Sequence, residues 1–226
     1  MNLDFSAIGT AFPFLMSGLL FSLEITVVAF SGGMILGSIL AVVRHAQIRG
    51  MARAATIYIT LMRSIPLLMV LFWFFFLVPI LLGHLSGSGR PIPVGGVYTA
   101  LITFTLFEAA YYAEIIRSGL RAVAKGQYEA AAALGLSQLR TYRLVILPQV
   151  LRRVSPIILT QTIILFQDTS LVYVMSLTDL LGAASKIAQR DGTLVEMYLT
   201  VALLYLLPSV AGSQVVVMIR NRNRHA

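Results

Sequence analysis

The chain has 226 residues, of which 58% are hydrophobic and 12% charged, against about 45–50% and about 25% in soluble domains. That balance excludes an ordinary soluble domain, so the formal charge of +8 reads as a membrane face and not as a nucleic-acid surface. The absence of Cys excludes disulfides, a thiolate metal site and a Cys nucleophile.

A membrane-crossing helix needs roughly 20 mostly apolar residues, and five stretches qualify. Residues 1–13 form a segment before the first of them. Asp4 is the only charged side chain there, so the basic start of a cleaved signal peptide is missing and the first span is expected to be retained. That span runs from Phe14 to Val43, interrupted by Glu24 and by Gly32-Gly33. Its Gly33-x-x-x-Gly37 spacing allows close helix contact. The second span, Ile57 to Leu82, is bracketed by Pro66 and Pro79. Arg63 beside Pro66 is expected to anchor its start at the inner surface, in preference to binding substrate. The aromatic run Trp73 to Phe76 reads as lipid-facing or packing. A Gly-, Ser- and Pro-rich connector, Gly83 to Gly96, follows.

The third span is Val97 to Leu120. Within it Glu108 is expected to find a buried polar partner at a helix interface. Glu114 and Arg117, three residues apart, form a structural ion pair on one helix face. The interval Gly126 to Pro148 comes next and is not a span. Its Ala-rich part, Tyr128 to Leu134, reads as a short helix. Gly135 supplies a left-handed turn, and Ser137 caps a second short helix. By residue pattern alone this is either a docking element for another protein or an amphipathic loop lying on headgroups.

The fourth span, Leu151 to Met175, carries a polar island of Gln167, Asp168, Thr169 and Ser170. Asp168 either lines a pathway or holds the helix to a neighbour. Between Ser176 and Thr193 a short interfacial or re-entrant helix is expected, capped by Ser176 or Thr178. The fifth span is Leu194 to Ile219, and residues 221–226 make a basic tail. Fourteen of the 17 Lys and Arg residues flank one side of these spans, which the positive-inside rule makes cytoplasmic. The N-terminus is then outside, and both Gly126–Pro148 and the C-terminus are inside. The fold class is an all-α membrane protein of about five transmembrane helices.

The interval also carries Glu129-Ala130-Ala131, then Gly135 after three residues, then Leu147-Pro148. This resembles the cytoplasmic signature of bacterial ABC import permeases (E-A-A, three residues, G, nine residues, I-x-L-P), with Val145 in the place of Ile. FEAAYYAEIIRSG from Phe107, RSIPLL from Arg63 and FQDTSL from Phe166 are similar to the polar-amino-acid branch. FQDTSLVYV and RDGTLVEM bring it nearest to glutamate/aspartate import permeases. The resemblance covers nearly the whole chain. It implies a type I importer permease fold over 14–220, with a coupling loop at 126–148 whose Glu129, Ala130, Ala131, Gly135, Leu147 and Pro148 meet an ATPase. It also implies a homologous permease subunit, two ATPase subunits and a periplasmic amino-acid-binding protein as partners, in the bacterial inner membrane. No cofactor is expected in this chain; ATP and Mg would be bound by the ATPase, and no nucleic acid is involved. An amino acid, foremost glutamate or aspartate, is the expected cargo, with glutamine or a basic amino acid as the alternative.

The chain has no G-x-x-x-x-G-K-[ST] phosphate loop, so it is expected to be a transport subunit and not an ATPase. A gradient-driven secondary transporter would call for matched inverted repeats, and no such pair is visible. A membrane protease or haem subunit would call for a G-x-S-x-G setting or paired intramembrane His, and neither is present.

Overall fold

A computed structural model describes Phe5 and residues 7–224. Every regular element among them is helical. We label the helices α1 (Ala7–His45), α2 (Met51–Ser64), α3 (Leu67–Leu85), α4 (Gly96–Arg121), α5 (Lys125–Ala133), α6 (Gln138–Met175), α7 (Leu180–Asp191) and α8 (Leu194–Arg224). Five of these, α1, α3, α4, α6 and α8, are long and apolar enough to cross a membrane. Part of the expected N-terminal segment, 7–13, is the first turns of α1, and 221–224 of the basic tail continue α8. Apart from Phe5, the rest of both segments lies outside the described residues.

The helix α1 runs unbroken through Glu24 and Gly32-Gly33. Its glycines are instead points of close approach to α4. A Cβ on Gly37 would stand 2.8 Å from the backbone oxygen of Ala109 and 2.9 Å from Cβ of Tyr112. One on Gly33 would meet Cβ of Glu108 at 3.0 Å. In hydrocarbon no hydrophobic force drives helices together, so this small-residue seam lets dispersion contacts do it. Ile25, Ala29, Ala100, Phe104 and Phe107 extend the seam into a core shared with α3 and α6.

The stretch expected as the second span, Ile57 to Leu82, is divided at one of the prolines that bracket it: α2 ends at Ser64 and α3 begins at Leu67. Pro66 has no N–H, and its ring forces Ile65 into an extended conformation, φ −114° and ψ 137°. Below the break, Ile59 packs on Ala110 and Ala113 of α4, and the Tyr58 hydroxyl donates to the carbonyl of Leu106. The helix α2 therefore packs beside α4, and α3, long and apolar enough to cross a membrane by itself, follows the break. Within α3, residues Trp73–Leu77 form one widened π-type turn. Trp73 and Phe76 are exposed there, while Phe74 and Phe75 pack against the core.

After Met175 the chain turns at Ser176, φ 62°, and enters the short helix α7. The expected caps Ser176 and Thr178 are not used. Asp179 is the N-cap, accepting from the N–H groups of Gly182 at 3.0 Å and Leu181 at 3.1 Å. Only Asp179 directly precedes the first turn, so only its carboxylate can reach those N–H groups. Asp179 is fully buried. It also accepts from the Tyr205 hydroxyl at 3.3 Å, and Ser22 of α1 accepts from the N–H of Leu180. Burial pushes its carboxyl above the usual range, against the lowering pull of these donors. The apolar side of α7 is buried on α1 and α8 through Leu15, Leu180, Ala184 and Met197.

Replacing Gly37 by Ala forces a methyl into the α1–α4 seam. The expected cost is about 1–3 kcal/mol, seen as a lower midpoint of thermal unfolding in detergent. Gly9→Ala, whose Cβ would meet nothing within 4 Å, is expected to leave the midpoint unchanged or slightly raised. Equal effects of the two substitutions would contradict the seam.

Candidate functional site: an exposed loop and a polar cleft

The loop between α4 and α6 is organised by Gly135. Its φ of 70° is a conformation that an L side chain resists. The N–H of Leu136 donates to the carbonyl of Ala131 at 3.0 Å, and that of Gly135 to Ala132 at 2.9 Å. This pair of bonds is a Schellman stop, which satisfies the last carbonyls of α5. The helix α5 starts earlier than expected, at Lys125, because Ala124 already supplies the extended entry residue. Ser137 stands at the start of the next helix, but its side chain makes no cap bond; its carbonyl accepts from Thr141 instead.

The second short helix does not end before the expected fourth span: one helix continues from Gln138 to Met175. It passes through a widened turn, Tyr142–Ile146, straight into the span. Pro148 explains the widening: it offers no N–H and crowds the carbonyl four residues earlier.

Glu129, Ala130, Gly135, Leu147 and Pro148 are exposed. Ala131 is not: at 2% exposure it faces its own chain, so the small outer surface of α5 comes from Ala130, Ala132 and Ala133. Two residues that the motif did not pick out dominate the loop's surface. Leu134 and Leu139 are each 79% exposed, beside the exposed cations Arg140 and Arg143. They leave apolar surface bare amid these charges. The available signal was an apolar residue on either side of Gly135 in a polar interval.

Behind this surface the loop is tied to the spans. The rings of Tyr128 and Tyr142 lie 6.0 Å apart in a T-shape, and Tyr142 meets His45 at the end of α1, ring to ring at 6.4 Å. Gln149 donates to Gln127 at 2.9 Å, and Arg153 to the carbonyl of Ala122. Buried Val123, Ile146, Val150 and Val154 join the loop's base to Tyr112 and Leu120 of α4. The loop is thus joined by these contacts to α1, α4 and α6.

The polar residues of the spans divide into three groups. Glu114 does pair with Arg117, at 3.7 Å, but its short partner is Arg44 of α1 at 2.6 Å. Glu108 is 1% exposed and accepts from Gln161 of α6 at 3.1 Å, while its second oxygen has no partner among the described residues. That is the interface role expected of it. Of the polar island, Gln167 donates to Ser209 of α8 at 3.0 Å, and buried Thr169 donates back to the carbonyl of Phe166 at 2.7 Å. Ser170 is half-buried. Asp168 sits where the α-helix tightens into a 3-10 turn, and it opens onto a cleft of about 520 Å³.

Arg63 lines the same cleft, together with Ser64, Tyr111 and Gln161. Its guanidinium lies 5.4 Å from the centre of the Tyr111 ring, near the middle of α4. Pro66, at the break between α2 and α3, lines the same cleft. A cation and a carboxylate facing one intramembrane cleft, beside a discontinuous helix, is an arrangement that suits a zwitterionic solute.

Residues 33–225 match the family model for binding-protein-dependent transport system inner membrane components. The chain is 43% identical to the glutamate/aspartate import permease protein GltK of Escherichia coli O6:H1, over 97% of both chains. It is 33% identical to the arginine transport system permease protein ArtQ of Bacillus subtilis, over 91% of this chain and 90% of that one. Its fold superimposes on the crystal structure of an amino acid ABC transporter with a TM-score of 0.85 at 28% identity, over 98% of this chain and 100% of the other. The chain belongs to the binding-protein-dependent transport system inner membrane components, the membrane permease subunits of ABC importers.

Proposed function

We propose that this permease passes acidic amino acids, glutamate and aspartate, through the cleft between α2, α3, α4 and α6. The observation that carries the substrate class is Arg63 facing the same cleft as Asp168. The cation would meet a carboxylate of the solute, and Asp168 its ammonium group. The 43% identity to a glutamate/aspartate import permease supports the same class.

The energy would come from outside the chain. Two ATPase subunits carrying ATP and Mg would take the exposed surface of Glu129, Ala130, Leu134, Gly135 and Leu139. A second permease would complete the pathway, since the cleft lies open on the single chain. A periplasmic amino-acid-binding protein would deliver the solute. In this reading ATPase closure pushes α5. The aromatic relay through Tyr128, Tyr142 and His45 carries the push to α1, and α1 moves with α4 along their glycine seam. The cleft then alternates between the two faces. The cytoplasm holds the α5 loop and the C-terminus, and the periplasm holds the N-terminus, as the distribution of Arg and Lys requires.

Glu129→Lys and Gly135→Pro should leave insertion in the membrane intact. They should lower ATP-dependent uptake into proteoliposomes by about tenfold or more, with loss of the co-purifying ATPase. Wild-type uptake by both variants would remove the loop from the mechanism. Arg63→Gln should keep the assembled complex and lower the glutamate uptake rate by about tenfold or more. Undiminished glutamate uptake by that variant would sink the assignment of Arg63 to the pathway. Competition by unlabelled glutamine or arginine, stronger than by aspartate, would favour a different amino acid. Because the chain has no Cys, a single introduced thiol reports sidedness without interference. Ser88→Cys should react with an impermeant maleimide added outside and Arg222→Cys should not; the reverse pattern would invert the topology.

A further inference from the structure

A second polar cleft, of about 260 Å³, lies where the end of α1, the start of α2 and the end of α4 meet. Arg44, Arg53, Arg117, Gln47 and Thr56 line it. Three guanidinium groups are opposed by one carboxylate, that of Glu114, which reaches Arg44 at 2.6 Å and Arg117 at 3.7 Å. Two positive charges are left over. Arg44 is 8% exposed, and its buried Nε–H has no acceptor among the described residues. Arg53 makes no ion pair among them. The walls are held in place: Gln47, at φ 53°, donates to the carbonyl of Arg44 at 2.9 Å.

We propose that this cleft binds the phosphate of an anionic phospholipid. The site rests on the membrane placement of the chain and is separate from both the α5 loop and the Arg63 cleft. Its chemistry is that of an oxyanion: three fork-shaped donors and one unneutralised pair of charges on three different helices. Its place selects a lipid over free phosphate. The cleft stands at the ends of two spans, at headgroup depth. Arg53, Ile57 and Leu61 follow each other at four-residue spacing on α2, hence on one face. Ile57 is 62% and Leu61 48% exposed. A headgroup at Arg53 would thus lay an acyl chain along Ile57 and Leu61. Basic clefts at membrane-span ends attract such headgroups at roughly 1 kcal/mol for each Lys or Arg near the surface, which is about fivefold in affinity.

The test uses the full-length chain assembled with its transporter subunits, delipidated in mild detergent. Native mass spectrometry follows the first bound lipid on titration with phosphatidylglycerol or phosphatidylcholine, with inorganic phosphate and glycerol phosphate as soluble competitors. Phosphatidylglycerol should bind more tightly than phosphatidylcholine. Arg53→Gln, an exposed position whose loss breaks no contact, should weaken it about fivefold with an unchanged lipid-free melting midpoint. The soluble phosphates should displace little of it. Three outcomes overturn the proposal: equal binding of the two lipids, equal binding by wild type and Arg53→Gln, or full displacement by inorganic phosphate, which would make the cleft a free-anion site. Loss of uptake in Arg63→Gln concerns the other cleft, so failure of either reading is seen separately.

Discussion

The close contact of α1 with α4 is the constraint on which the molecule depends. Two helices in hydrocarbon gain nothing from burying apolar surface in each other, because lipid is equally apolar. They gain from approach near enough for backbone and side-chain atoms to pack, and Gly33 and Gly37 permit that approach. Once α1 and α4 are locked, the other positions follow. The Tyr112 ring sits edge-on to Phe30, its hydroxyl meets Thr162 of α6 at 3.2 Å, and Glu108 takes Gln161 from the same helix. Polar groups facing outward from the seam thus become the ties that hold α6.

The same seam suits the proposed mechanism, in which a push on the loop moves the whole chain. The α5 loop has few contacts of its own, and its exposed leucines wait for a partner. Its base, however, shares one buried cluster with α4 and α6, and its two tyrosines reach the end of α1. Close packing resists continuous deformation, so elements joined this way move as a block. The break at Pro66 and the tightened turn after Asp168 lie on two sides of the Arg63 cleft. They are places where a backbone already departs from α-helix and can yield at lower cost.

Much of this was legible in the sequence. The five spans, the stop at Gly135, the close-contact glycines and the helix after Met175 all rest on local rules: apolar length, positive φ, small-residue spacing and capping chemistry. Where local rules compete, the reading slipped. Ser176, Thr178 and Asp179 are all good caps, and only the entry geometry of the chain chose Asp179. Pro66 stood out as a bracket of the second span, but composition stays apolar across it and does not show that α2 stops at Ser64. Ala131 looked like open surface because the loop's rear packing cannot be seen in an Ala-rich string.

The sequence by itself determined that this is a helical membrane protein that carries the permease signature and lacks a phosphate-loop motif, since composition, length and motif are properties of the string. Only the tertiary structure decided what its charges do. Arg63 is read beside Pro66 alone until Asp168, on another helix, is found to line the same cleft. Glu114 looks paired within its own helix until Arg44, 70 residues away, is found at 2.6 Å. Arg53 is one more basic flank until Arg117 closes round the same space. In each case the partner lies on another helix, and packing between helices is what no local pattern records.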